Sequence, residues 1–377
     1  MSTPLPPKAR IDTWTGLRAI AALWVVLFHL DCYNLSLDYG WLKPLIGRGE
    51  LGVDLFFILS GIVISHVHLA EFKQYDWPLT ARFLMLRFAR IYPLHLVMLL
   101  FVAAQQGIES TYSWQVWHQA PLHDLNGWPN FFLSLFNIHG WETTQKLSFN
   151  FPSWSVSAEW FAYLCFPLLA PWLQRIRSIG MNLLLIGVCL FLLYWVCLLN
   201  HTNDMGFTTH LGLLRIGTEF IAGIGIYNIL KLQRNPIPGA SGLGLLSLAL
   251  IPVLILWDVH EIWLVADFCL LLYTFPQITG WLKAVFANRT MVFGGEISYA
   301  IYMVHAFVLH LVNDACLFFF HWQQWDFLHT LALSLFTLVL VIMAAIPLHR
   351  YIEVPARSAI RAIWEQCRSR ITQPAVG

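Results

Sequence analysis

Trp14-Thr15-Gly16-Leu17-Arg18-Ala19-Ile20-Ala21-Ala22-Leu23-Trp24-Val25-Val26-Leu27-Phe28-His29-Leu30-Asp31-Cys32-Tyr33-Asn34 is a largely apolar run interrupted by Arg18, His29 and Asp31. About 20 apolar residues in helical form cross the hydrocarbon core of a bilayer, so this run reads as a transmembrane helix. Nine more runs of the same kind follow, at roughly 51–70, 83–104, 156–173, 181–199, 207–230, 241–257, 261–279, 293–313 and 329–348. Backbone groups in lipid must be satisfied within each segment, which leaves helices as the spanning element for runs of this length. The expected fold is therefore all-α, a polytopic membrane bundle of ten helices with one long outer loop over 105–155.

Composition agrees with that reading. Hydrophobic residues make up 58% of the 377 and charged residues 11%, too few charges to clothe a soluble surface of this size. A net charge of +1 offers nothing for nucleic acid to hold, and no nucleic-acid partner is expected. The seven cysteines contain no CxxC pair, so neither a metal site nor a disulfide framework is expected. Cys32 and Cys316 fall near the same expected surface, but an odd total with scattered spacing favours free thiols. The first run lacks a small-residue cleavage pattern and is read as an uncleaved anchor. Neither an internal repeat nor an attached soluble domain is seen, so residues 1–350 are expected to form one membrane domain, and 351–377 a tail.

The distribution of charge orients the bundle. With the N-terminus inside, 17 of the 22 basic residues fall in cytoplasmic segments, among them Arg82, Arg87, Arg90, Arg350, Arg357, Arg361, Arg368 and Arg370. Outer segments hold only Lys43, Arg48 and Lys146, while Arg18 and Arg215 lie within spans. This is the asymmetry of the positive-inside rule, and it puts both termini in the cytoplasm of a protein expected in the bacterial inner membrane. Ile360, Ile363 and Trp364 beside the arginines of 351–377 suggest a short amphipathic helix lying on anionic lipid.

Ionisable groups at membrane depth are costly and ask for a partner or a task. Arg18 and His29 are eleven residues apart, about 20° apart on one helical face and about 16 Å along the axis. Each alone has an ordinary reading, a snorkelling anchor and a satisfied core histidine; the shared face argues for more. Asp54, one turn into the second run, and Glu159, at the start of the fourth, are expected at the depth of His29, where a carboxylate can orient an imidazole and raise its basicity. Paired carboxylates that merely hold helices together remain the alternative. Arg215 and Glu219, at i and i+4, are expected to neutralise each other. Asp267, Tyr302 and His305 have no intrahelical charge partner and must look to other helices, and Ser298 and His310 are read as hydrogen-bonding to neighbours. Arg87 and Arg90 share a face near a helix N-terminus, an arrangement that suits phosphate and equally suits plain topological anchoring. The outer loop is dense in aromatic residues (Tyr112, Trp114, Trp117, Trp128, Phe131, Phe132, Phe136, Trp141) and carries His118, His123 and His139; an interfacial belt or a platform for a sugar face would both look so.

Taken in order, several motifs resemble the integral-membrane acyltransferases of the acyltransferase 3 type, which include O-antigen and other polysaccharide O-acetyltransferases. They are Leu17-Arg18-Ala19-Ile20-Ala21-Ala22 leading to His29, Gly52-Val53-Asp54-Leu55-Phe56-Phe57 closing on Ser60-Gly61, Arg87 through Pro93, Trp154-Ser155-Val156-Ser157-Ala158-Glu159, and Ser298-Tyr299 followed by Tyr302 and His305. The resemblance runs through the whole chain. It implies an acyl-CoA donor, in the simplest case acetyl-CoA, taken from the cytoplasm and a carbohydrate or other hydroxyl acceptor on the outer side. It also implies contact of Arg18, Arg87 and Arg90 with the donor, His29 as catalytic base, and Ser60, Trp154, Ser155, Tyr302 and His305 lining the site. Trp160 stands where such proteins commonly carry a second acidic residue, which leaves Glu159 as the single carboxylate there. His29, oriented by Asp54 or Glu159, is expected to deprotonate the acceptor hydroxyl, either for direct transfer or by way of an acyl-histidine. The rival reading is a proton-coupled transporter whose path is lined by Arg18, His29, Asp54, Glu159 and Asp267.

Overall fold

A computed structural model describes residues 11–32, 40, 42–116, 127–320 and 327–372. Among the described residues there is helix and no strand. Apolar helices coincide with all ten expected runs: α1 (Asp12–Cys32), α3 (Gly52–His68), α4 (Trp77–Val116), α6 (Trp154–Leu173), α7 (Ile179–Leu199), α8 (Gly212–Leu232), α9 (Ala240–Leu256), α10 (Ile262–Thr274), α13 (Ser298–Phe320) and α14 (Phe327–Leu348). Shorter helices α2 (Leu42–Gly47), α5 (Trp128–Leu135), α11 (Gly280–Phe286) and α12 (Arg289–Glu296) link them, and α15 (Val354–Thr372) closes the chain. By length and composition seven segments span a membrane, or nine if two bent pairs count as one each, and α9 is a shorter apolar helix. The chain is an integral membrane protein.

Several boundaries differ from the expectation for physical reasons. The run at 261–279 is broken: the segment Ile262–Gln277 meets α11 at 104°, where Pro276 and Gly280, the latter at φ +64°, end one helix and turn into the next. The run at 293–313 begins only at Ser298, because α12 meets it at 63°. Ser298 Oγ donates to the Gly295 carbonyl at 2.9 Å, so the expected bond to a neighbouring helix is made at this bend instead. Helix α4 has 40 residues, about 60 Å at 1.5 Å per residue, and carries its helix past 104 into the expected outer loop.

Helix α8 is the axis of the bundle and is mostly buried, whereas α7 shows its Leu and Phe side chains outward. It packs most closely on α3. A Cβ added to Gly61 would lie 2.1 Å from the Phe220 carbonyl oxygen, and one added to Gly223 would lie 2.1 Å from that of Ile58. Each glycine therefore admits the other helix's backbone, the small-residue packing on which membrane helices rely.

The loop over 105–155 is more than an external cap. Its second half folds into the bundle: Ser134, Asn137, His139, Ser148, Asn150, Pro152 and Ser153 are buried. Tyr92 and His95 of α4 reach the Leu135 and Ser134 carbonyls at 2.8 and 2.7 Å. Asn150 donates to the Met303 carbonyl of α13 at 3.0 Å, and the Trp141 indole to the Ser157 carbonyl of α6 at 2.8 Å. Trp128, Phe132 and Phe136 stay exposed. Trp117, His118 and His123 lie outside the described residues, as do the side chains of Tyr112, Trp114, Cys32, Arg368 and Arg370. Cys316 is a buried free thiol, and Cys165, Cys189, Cys197, Cys269 and Cys367 are also free.

Candidate active site

Helices α1, α3, α4, α6 and α13 surround a cavity that, with its mouth, holds about 870 Å³ of empty space. Arg18, Arg87 and Arg90 line it together with Ser60, Glu159, Tyr163, Ser155, Ser298, Tyr299 and Tyr302. Of the eleven residues the sequence assigned to the site, seven thus meet in one chamber; His29, His305, Asp54 and Trp154 are not in its lining.

The arginines are held differently. Arg87 donates to His68 Nε2 at 3.4 Å, and His68 Nδ1 lies 3.3 Å from Glu71. Arg90 pairs with Glu353, from the π-helical turn His349–Glu353 that precedes α15, and its guanidinium also sits 5.7 Å from the Tyr299 ring centroid. Arg18 has no ion-pair partner among the described residues, although Glu159 and Tyr163 lie within its electrostatic reach. Glu159 accepts from Ser60 Oγ at 2.6 Å and from Tyr163 OH, one turn on, at 2.5 Å. The cavity therefore combines fixed positive charge with one carboxylate already satisfied by two hydroxyls.

His29 is not among the residues lining the cavity. Its Nδ1 is 2.9 Å from the Val25 carbonyl oxygen and 3.3 Å from His305 Nε2. His305 is fully buried, and its own Nδ1 is 2.6 Å from the Tyr302 carbonyl oxygen. A carbonyl oxygen only accepts, so each neutral ring must carry its proton on Nδ1. His29 Nε2 is then left with a lone pair, and His305 Nε2 turns its lone pair toward the His29 N–H. Phe151 packs on His29 at 5.1 Å between centroids. Tyr302 joins the two halves: its hydroxyl donates to the Pro152 carbonyl at 2.8 Å and meets Ser155 Oγ at 2.7 Å on the cavity side, while its main chain anchors His305.

Neither expected carboxylate orients His29. Asp54 is fully buried and bonded to Arg215 at 2.8 and 2.5 Å, so Arg215 takes Asp54 as its bidentate partner in place of Glu219. The three groups do not share one depth. Gly52 fits against Ala21 and Val25, one to two turns short of His29, so Asp54 lies below the imidazole. Glu159 bonds Ser60, six residues further along α3, which is about 9 Å deeper. Trp154 packs with Phe57 at 6.0 Å and lies 5.7 Å below the Arg215 guanidinium, supporting that ion pair. His310 pairs within its own helix, with Asp314 at 3.5 Å. Asp267 is buried, and its carboxylate oxygens have no hydrogen-bond partner among the described residues.

Tyr163, His68 and Glu353 escaped the sequence reading. Tyr163 was signalled by its i+4 spacing from Glu159; Glu353 had no signal beyond being acidic in a basic flank.

Comparison with known proteins bears on the same stretch of chain. Acyltransferase MdmB of Streptomyces mycarofaciens is 28% identical over 381 residues, covering 93% of both chains. Peptidoglycan O-acetyltransferase OatA of Listeria monocytogenes is 29% identical over 196 residues, 49% of this chain and 28% of that one. No solved structure matches the chain. The family profile described as "Acyltransferase domain" matches residues 11–348, a stretch that holds every residue lining the cavity and both histidines, and the chain belongs to this acyltransferase 3 family.

Proposed function

We propose that this membrane acyltransferase moves an acyl group, acetyl in the simplest case, from cytoplasmic acyl-CoA to a hydroxyl of a glycan or other envelope acceptor on the outer side of the bacterial inner membrane. The observation that carries the reading is a cationic cavity linked through Tyr302 and His305 to the imidazole of His29. The residues fit the donor: Arg18, Arg87 and Arg90 suit its phosphates, and the apolar stretch lined by Val53, Phe56 and Ile64 suits its arm. When bound, the donor supplies an activated thioester. The name of OatA, a peptidoglycan O-acetyltransferase, supports a hydroxyl of an envelope glycan as acceptor, and the excess of basic residues at the arginine end supports the cytoplasmic side for the donor.

In this reading His29 Nε2 removes the acceptor hydroxyl proton as its oxygen attacks the acyl carbon, and the thioester C–S bond breaks so that CoA leaves as the thiolate that the protonated imidazole later neutralises. The proton first comes to rest on His29, whose Nδ1–H keeps two acceptors, the Val25 carbonyl and His305 Nε2. That pair takes the orienting role assigned to a carboxylate in the sequence. Tyr302, Ser155 and the Phe151–Ser153 turn form the wall that the acyl group must pass, and they keep water from the donor cavity.

The test is incorporation of label from acetyl-labelled acetyl-CoA into envelope material by inverted membranes, with the His29→Ala variant at matched expression. Loss of the base should lower incorporation by about 10²–10⁴-fold. A variant retaining more than about a tenth of the parent's rate would remove His29 from the base role.

A further inference from the structure

The C-terminal helix does not lie apart from the donor cavity. Glu353, 1% exposed, pairs with Arg90 and receives His349 at 2.9 Å, so the turn that leads into α15 is tied to a residue of the cavity lining. Helix α15 then packs along α4. Arg357, Ile360 and Trp364 are spaced for one face and are all part-buried, as a face packed on protein would be. Arg357 and Arg361, one turn apart, lie within electrostatic range of Arg87, and Arg357 also of Arg90. Neither is in the cavity lining, so both act on its arginines from outside the lining. Arg357 has no ion-pair partner among the described residues, and Glu365 is the acid within range of Arg361.

Like charges brought this close repel unless an anion joins them. Glu353 is committed to Arg90 and Arg87 contacts the neutral His68, so Arg18, Arg87, Arg357 and Arg361 face only Glu159 and Glu365 as acids within range. A ligand carrying all its charge inside the cavity would leave Arg357 and Arg361 with Glu365 alone. A ligand with two separated anionic groups would satisfy both sets.

We propose that α15 is part of the donor site: Glu353 positions Arg90, and Arg357 with Arg361 binds the phosphate most distant from the thioester, the 3′-phosphate of the nucleotide end of acyl-CoA. This rests on the acyl-CoA reading above and adds to it which end of the donor the tail reads. The same arginines could serve an anionic lipid headgroup, so the experiment separates the two sources of phosphate.

Purified full-length protein in phosphatidylcholine nanodiscs is titrated with acetyl-CoA and with 3′-dephospho-acetyl-CoA. The parent should prefer the 3′-phosphorylated donor by about tenfold or more, the scale of a charge-assisted contact. Arg357→Ala with Arg361→Ala should erase that preference while leaving dephospho-donor affinity unchanged, and the corresponding lysine pair should restore part of it. If the alanine pair keeps the parent's preference, the tail does not read the 3′-phosphate. Unaltered preference together with weaker binding to phosphatidylglycerol vesicles would assign the arginines to lipid and overturn the proposal. In both cases retained donor binding by the parent leaves the acyltransfer reading intact; a parent that binds neither donor overturns both.

Discussion

An imidazole that donates from Nδ1 to a main-chain carbonyl has a single lone pair left, and in His29 it is on Nε2. His305 Nε2, 3.3 Å from the same N–H, becomes useful when His29 is protonated, because a hydrogen bond to a charged group contributes about 1.5–3 kcal/mol. His305→Phe is therefore expected to lower kcat by about tenfold or more, with KM for the donor little changed, and His305→Gln, which keeps an acceptor, to retain more of the rate. An equal loss in the two variants would make His305 a packing residue only. Asp54 and Arg215 form a buried ion pair, and its loss should cost stability. Both side chains are almost fully buried, at 0% and 2% exposure, and removing one partner leaves a buried charge alone, at a cost of about 3–5 kcal/mol. Asp54→Asn and Arg215→Met should each lower the unfolding midpoint in detergent, and the double variant by less than their sum. Single variants that melt with the parent would show the pair to be solvated.

Between elements, the contact of α3 with α8 sets the geometry of the site, because α3 carries Ser60 into the cavity and Asp54 to Arg215. Gly61 and Gly223 allow carbonyl oxygens of the facing helix to stand where a Cβ would be. The obstruction is backbone on both sides, so no side-chain rotation relieves it. Gly61→Ala should force the helices apart and cost stability by at least the 1–3 kcal/mol typical of overpacking, with loss of the Ser60–Glu159 bond of 2.6 Å. A purified Gly61→Ala protein with the parent's midpoint and rate would contradict that packing. The broken segments at Gly280 and Ser298 work in the same direction: the bend before α13 sets the height at which Tyr302 and His305 meet α1 and α6.

For the molecule as a whole, the inserted segment 127–153 closes one end of the bundle, and its stability should depend on pH. His139 is buried, with Nε2 3.0 Å from Ser153 Oγ and its ring stacked 5.8 Å from His95. Burial, reinforced by His95, lowers its pKa to about 3. The unfolded imidazole binds a proton near pH 6.5 and the folded one does not, so stability is full above pH 6.5 and falls as pH drops toward 3, by at most about 1.4 kcal/mol per unit. Limited proteolysis of this segment should accelerate with acid over that window, and His139→Gln should flatten the dependence. An acid response identical in the variant would assign it to other groups.

The ten apolar runs, the uneven distribution of basic residues and the common face of Arg18 and His29 were readable from the chain alone. Each is local: lipid imposes its length and polarity on every segment separately, and helical period relates residues eleven apart without reference to the rest. The common face of Arg87 and Arg90 was equally a matter of spacing. Partnership was not. Asp54 and Glu159 looked like neighbours of His29 because equal distance from a helix end was taken as equal depth, yet α3 starts against Ala21 and Val25. His29 meets His305 across 276 residues, and Arg90 meets Glu353 from the far end of the chain. Such pairings depend on the rotation and vertical offset of packed helices, which close glycine contacts and bends decide, and those quantities exist only once the bundle has assembled.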